Sequence, residues 1–171
     1  FNSFLYSQTK ESKDSLEFYT TLANQNIKSN KYKNALFYTQ KAINFSETSG
    51  RVIDQANQTF KLGKIYYSLK KYNDAIEVFS ESISLSETTK PTLSYANTYY
   101  YLGLSHIGKS NYTAAEICFL KAQSIYKELK IDDYDELINL QKGIILKNKG
   151  NKKMASSIFN AIIAKSDNPA F

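Results

Sequence analysis

Two stretches decide the fold: KLGKIYYSLKKYNDAIEVFSESI at 61–83 and YLGLSHIGKSNYTAAEICFLKAQ at 101–123. Shifted by 40 residues, Leu62-Gly63, Tyr66, Tyr72, Ala75 and Phe79 fall on Leu102-Gly103, His106, Tyr112, Ala115 and Phe119. The same shift carries SETSGRVIDQAN (46–57) onto SETTKPTLSYAN (86–97), with Ser, Glu, Thr, Ala and Asn kept in place. A later copy keeps Gly143, Ala155 and Phe159, and an earlier one keeps Ala23, Tyr32, Ala35 and Ala42. A fixed period of this size marks a solenoid, in which each repeat buries its apolar face against its neighbours. Glycine and alanine recur where one helix must approach another closely, and the large residues fill the space beside them.

This pattern resembles the tetratricopeptide repeat: a Leu-Gly pair, an aromatic three residues on, then a Tyr, an Ala and a Phe on a second helix. The resemblance spans about 15–165 and departs from the family in lacking a tryptophan and in its period. It implies an all-α fold, a right-handed α-solenoid of antiparallel helix hairpins. Four repeats are expected at 15–47, 55–88, 92–130 and 133–166. Residues 1–14 are expected to end a preceding helix and form a linker, with Phe4 and Leu5 as its apolar part, and 167–171 to form a tail. Lys-rich turns containing Asn or Gly, such as Asn30-Lys31, Lys70-Lys71, 108–111 and Gly150-Asn151, are expected to close the hairpins. Pro91 is expected at a helix start, where its missing N–H costs least.

Composition narrows the function classes. The chain has 171 residues, 42% of them apolar, with 2 Pro and 6 Gly, which suits one packed helical array. Its net charge of +6 comes from 22 basic residues of which only Arg51 is arginine. Arginine is the residue that grips phosphate and guanine with two hydrogen bonds, so no nucleic acid is expected as a partner. No stretch approaches the 18 apolar residues of a membrane span. Periplasmic placement is favoured over cytoplasmic, and the chain, opening on Phe1, is expected to be cut from something longer.

No catalytic constellation emerges. His106 takes the place that Tyr66 holds one period earlier, which points to a packed imidazole. Cys118, beside Phe119, is expected to be buried and unreactive. The acidic run Asp132, Asp133, Asp135 and Glu136 lacks the alternating ligands and glycine of a calcium loop, and fits the start of a helix whose dipole it complements. Neither enzyme activity, a cofactor nor a metal is expected.

The resemblance instead implies a binding module, in which the first helices of successive hairpins line a concave groove. That places Asn24, Lys28, Asn57, Phe60, Lys61, Lys64, Tyr67, Asn97, Tyr100, Tyr101 and Lys147 as candidates to hold a protein or peptide, with Leu104, Gln141 and Ile144 nearby. Asparagine amides both donate to and accept from a peptide backbone, aromatic rings add apolar area, and lysines attract carboxylates. A chaperone-tail clamp is disfavoured, because Thr20, Asn97 and Tyr101 stand where it needs cations. The 40-residue period with its Ser-Glu-Thr linkers is similar to repeat regions joined to sensor histidine kinases and regulators in Bacteroidetes-like bacteria, which implies the sensory or scaffolding part of a signalling protein. The alternatives are a self-association module and an intracellular receptor for short signalling peptides. The final helix, apolar on more than one face through Ile158, Phe159, Ile162 and Ile163, is expected to be covered by a further repeat or by a second copy in a homodimer.

Overall fold

The computed structural model describes the backbone of residues 2–87, 90–131 and 133–166, and the side chains of 15–87, 90–131 and 133–165. Among them are eight helices and no strand: α1 (Asn2–Lys28), α2 (Tyr32–Thr48), α3 (Val52–Ser68), α4 (Tyr72–Ser86), α5 (Leu93–Gly108), α6 (Tyr112–Glu128), α7 (Asp135–Asn148) and α8 (Lys152–Ser166). They pair as antiparallel hairpins, α1 with α2, α3 with α4, α5 with α6 and α7 with α8, in an all-α fold of the solenoid class. The expected tail at 167–171, the end of the second repeat at Thr88, the acidic Asp132 and the side chains of Phe4 and Leu5 lie outside the described residues.

One expectation needs correcting. α1 runs without interruption from Asn2 to Lys28, so 2–14 belong to the first helix and form no linker. The segment NSFLYSQTKESKD contains neither Pro nor Gly, so nothing in it stops a helix already propagating.

The chain divides into two compact units, residues 1–90 and 91–171. In the first unit, α2 packs against both α1 and α3, and α3 against α4. Its buried positions are the repeated ones: Ala23, Ala35, Ala42, Ile43, Leu62, Ala75, Phe79 and Ile83. Gly63 shows why the small residues recur. A Cβ built there would lie 2.5–2.9 Å from three ring carbons of Phe79 on the partner helix, closer than real Cβ atoms come. The missing side chain is therefore the socket for the ring. Ser82 Oγ then ties the hairpin by donating to the Ala56 carbonyl at 2.9 Å.

In the second unit the same socket forms between Gly103 and Phe119, and again between Gly143 and Phe159. Phe119 sits in a cluster with Ala96, Tyr100, Ala115, Ala122, Ile125, Tyr126, Ile138 and Ile145. The Tyr126 ring stacks on Tyr134, centroids 4.0 Å apart and nearly parallel. Pro91 lies just ahead of the helix it was expected to open. Thr92 is the cap of α5, accepting from the Tyr95 amide at 3.1 Å, and Asn111 caps α6 through Ala114 at 3.3 Å.

The turns obey one rule. Among the described residues, six helices are followed, two positions past their last residue, by one of positive φ: Asn30, Gly50, Lys70, Ser110, Lys130 and Gly150. Each turn closes with paired backbone bonds, such as Lys70 N to Tyr67 O and Lys71 N to Tyr66 O, both 2.9 Å. This is the Schellman arrangement, which satisfies the last carbonyls of a helix and favours glycine. Four of the six are not glycine, so strain is left at those turns. Replacing Lys70, at φ 57°, with Gly is expected to stabilise the chain by about 1 kcal/mol. A raised urea midpoint would show it, and a lowered one would mean that the lysine stem packs.

Candidate functional site

On α3, Asn57, Phe60, Lys61 and Lys64 follow the i, i+3, i+4, i+7 spacing that makes one helical stripe, and all four are half-buried. The Phe60 ring leans on Phe79 with centroids 6.0 Å apart, which fixes it while leaving part of its surface open. Lys64 Nζ lies 5.6 Å from the centre of the Phe60 ring. Burial, and then the neighbouring charge of Lys64, hold the Lys61 ammonium below the usual lysine range. A carboxylate arriving here would relieve a repulsion already present between the two lysines.

Of the other candidates in the first unit, Tyr67 continues the stripe, three residues after Lys64 and seven after Phe60, while Asn24 and Lys28 lie on α1. Tyr67 is half-buried at the hairpin end with its ring 6.0 Å from that of Tyr72. Asn24 and Lys28 are exposed on α1, and Lys28 lies in its last turn, where a cation complements the helix dipole.

In the second unit the equivalent positions have a different fate. Tyr100 is only 6% exposed, its ring 5.6 Å from Phe119, and its hydroxyl accepts from Gln141 Nε2 at 3.3 Å. Asn97 Oδ1 accepts from the Tyr126 hydroxyl at 2.7 Å. Tyr100 and the Asn97 carbonyl thus take part in the packing of α5 against α6 and α7. Tyr101 remains half-buried with its ring perpendicular to that of Tyr100, and Lys147 is exposed in the last turn of α7. Gln141 is itself buried, while Leu104 and Ile144 are half-buried.

Two surface residues escaped the sequence reading. Leu137 and Leu140 on α7 are each 38% exposed and stand exactly one period after Asn97 and Tyr100. The 40-residue shift that places Asn57 and Phe60 over Asn97 and Tyr100 finds them directly. With Ile144 they give α7 an apolar stripe where α3 has a cationic and aromatic one.

The engagement of Asn97 has a measurable consequence. Asn97→Ala strands the buried Tyr126 hydroxyl, and is expected to lower stability by about 1–2 kcal/mol. Asn57→Ala, on the half-exposed stripe, is expected to change it by less than about 0.5 kcal/mol. Thermal melts of the two variants separate these roles, and equal shifts would contradict the assignment.

The groups weighed for chemistry are structural. Cys118 is buried, and burial pushes its thiol up to about 11, so little thiolate exists near neutrality. Burial also pulls His106 below its ordinary value of 6.5. Its folded form resists protonation, so the stability tied to the neutral ring is complete above 6.5 and is lost as pH falls through the folded value. His106→Tyr, restoring the residue found at 66, is expected to flatten the acid-side fall of the melting temperature; an unchanged profile would clear His106 of that role. No group of three or more His, Cys, Asp or Glu among the described residues is placed to hold a metal ion. Of the acidic run, Asp135 accepts from Gln123 at 2.8 Å and Glu136 pairs with Lys165 at 2.8 Å. No helix among the described residues is long and apolar enough to cross a membrane.

The tetratricopeptide repeat family matches residues 60–89 and 96–129. Those two stretches match tetratricopeptide repeats. A search of curated proteins finds no match to it. Solved structures share the fold. Aspartyl phosphate phosphatase F from Bacillus subtilis superposes with a TM-score of 0.78 at 20% identity, over 90% of this chain but only 40% of its own length. BtubC from P. vanneervenii gives 0.75 at 18% identity, over 91% of this chain and 67% of that one. YrrB, described as a TPR protein with an unusual peptide-binding site, gives 0.64 at 20% identity, over 96% and 74%. At these identities the likeness is one of tetratricopeptide fold.

Proposed function

We propose that this tetratricopeptide chain is a protein- or peptide-binding module whose α3 stripe receives an acidic segment of its partner. The observation that carries this reading is the stripe itself: Lys61 and Lys64 held half-buried one turn apart, with the amide of Asn57 and the ring of Phe60 alongside. Two like charges kept close and partly out of water cost free energy, which a partner carboxylate would offset. Phe60 adds a braced ring that loses little entropy on contact, and Asn57 supplies a donor and an acceptor for a peptide backbone. YrrB supports the reading only as a case in which the same fold carries a peptide-binding site. In this proposal the module is the sensory or scaffolding part of a larger signalling protein, in keeping with its period and its Ser-Glu-Thr linkers.

Selection from a displayed library of random short peptides tests the binding claim. Enriched sequences are expected to carry Asp, Glu or a free C-terminal carboxylate. Their affinity is expected to fall roughly tenfold or more in Lys61→Met and in Lys64→Met, the loss of one charge-assisted hydrogen bond. Melting temperatures should hold. Enrichment without acidic character, or unchanged affinity in both variants, would contradict the proposal.

A further inference from the structure

Phe18 on α1 is 58% exposed and Ile163 on α8 is 55% exposed. The repeat makes both notable. One, two and three periods after Phe18 stand Gln58, Thr98 and Ile138, all buried. Three and two periods before Ile163 stand Ile43 and Ile83, also buried. The first helix of the first hairpin and the second helix of the last one thus leave in water positions that the other repeats cover.

The second unit shows what covers them. At the junction of α6 and α7, Gln123 donates from Nε2 to Asp135 at 2.8 Å and accepts at Oε1 from Lys142 at 3.2 Å. Position 123 of a second helix therefore lies between positions 135 and 142 of the following first helix. Ile138, between those two, joins the core cluster with Ala122, Ile125 and Tyr126. Forward by one period, Gln123 becomes Ile163 and Ala122 becomes Ile162 on α8. Back by three periods, Asp135, Ile138 and Lys142 become Ser15, Phe18 and Leu22 on α1. By register the polar residues of the internal junction give way to apolar ones: Ile163 stands in the place of Gln123, Leu22 in that of Lys142 and Phe18 in that of Ile138.

We infer that α8 of one copy docks on α1 of a second copy, with Ile163 seated among Ser15, Phe18 and Leu22, so that copies add head to tail through the contact the repeat already uses internally. The occupant is a second copy because the chain itself carries both halves of the junction, in matching register and matching apolar character. Such an interface joins two different surfaces, so one docking event leaves a free α1 at one end and a free α8 at the other, and assembly continues past the dimer.

Sedimentation velocity on the 171-residue chain over a concentration series tests this. The mean mass of the unaltered chain is expected to rise with concentration beyond that of a dimer. Phe18→Asp and Ile163→Asp, both at exposed positions, are each expected to remain monomeric with unchanged circular dichroism. An equimolar mixture of the two variants retains one intact junction and is expected to form dimers and nothing larger. A monomer at every concentration, or a mixture that stays monomeric, would overturn the inference. Association broken by Ile163→Asp but untouched by Phe18→Asp would overturn it too, showing α8 paired with itself.

Discussion

Phe119→Ala is expected to remove about 3–5 kcal/mol from the second unit, the range for truncating a fully buried aromatic ring. Phe119 is completely buried, Ala96, Ala115 and Ala122 in its cluster are too small to fill the space it would leave, and the Tyr100 ring beside it is held by the bond its hydroxyl accepts from Gln141. Gly103, its socket on α5, has no side chain at all. The cavity should therefore persist, and the upper part of that range applies. By calorimetry the transition of residues 91–171 is expected to fall by more than about 10 °C. A shift of only a degree or two would mean that the ring is not the centre of that core.

Gly103→Ala carries the second large effect, and its sign is the instructive part. At an exposed helix position this substitution stabilises by about 1 kcal/mol, because alanine is the better helix former. Here the new Cβ would lie 2.8 and 2.9 Å from two ring carbons of Phe119, and the ring is enclosed on all sides. Overpacking of this kind costs about 1–3 kcal/mol and should outweigh the helix gain. A lowered urea midpoint is the expected result, and a raised one would show that the ring yields. The first hairpin supplies a natural counterpart: Ala23 stands where the later repeats have glycine, and Thr39 stands where they have phenylalanine. Both are completely buried, so a larger residue on one helix is matched by a smaller one on the other.

The hairpin fold was legible because Gly63 and Phe79 recur as Gly103 and Phe119, and this spacing carries size complementarity as well as hydrophobicity. The turns were legible in place but not in detail. Glycine drew the eye to 108, whereas the left-handed residue is Ser110, two positions on, where the backbone bonds of the closing turn require it. The candidate surface was legible only as a stripe of positions. Asn57 and Asn97, or Phe60 and Tyr100, look equivalent along the chain. What distinguishes them is that Tyr126 and Gln141, 29 and 41 residues downstream, reach back onto the second pair. Leu137 and Leu140 were missed for a chemical reason, since leucine on a helix reads as core until its neighbours are placed.

The central claim is that the last three repeats are packing units built on matched volume between a first-helix glycine and a second-helix phenylalanine. A double-mutant cycle on Gly103→Ala and Phe119→Leu tests it most directly. The leucine variant alone should lose stability, and the alanine variant alone should lose stability, but the pair together should lose less than their sum by about 1 kcal/mol or more. Simple additivity within about 0.3 kcal/mol would contradict the claim.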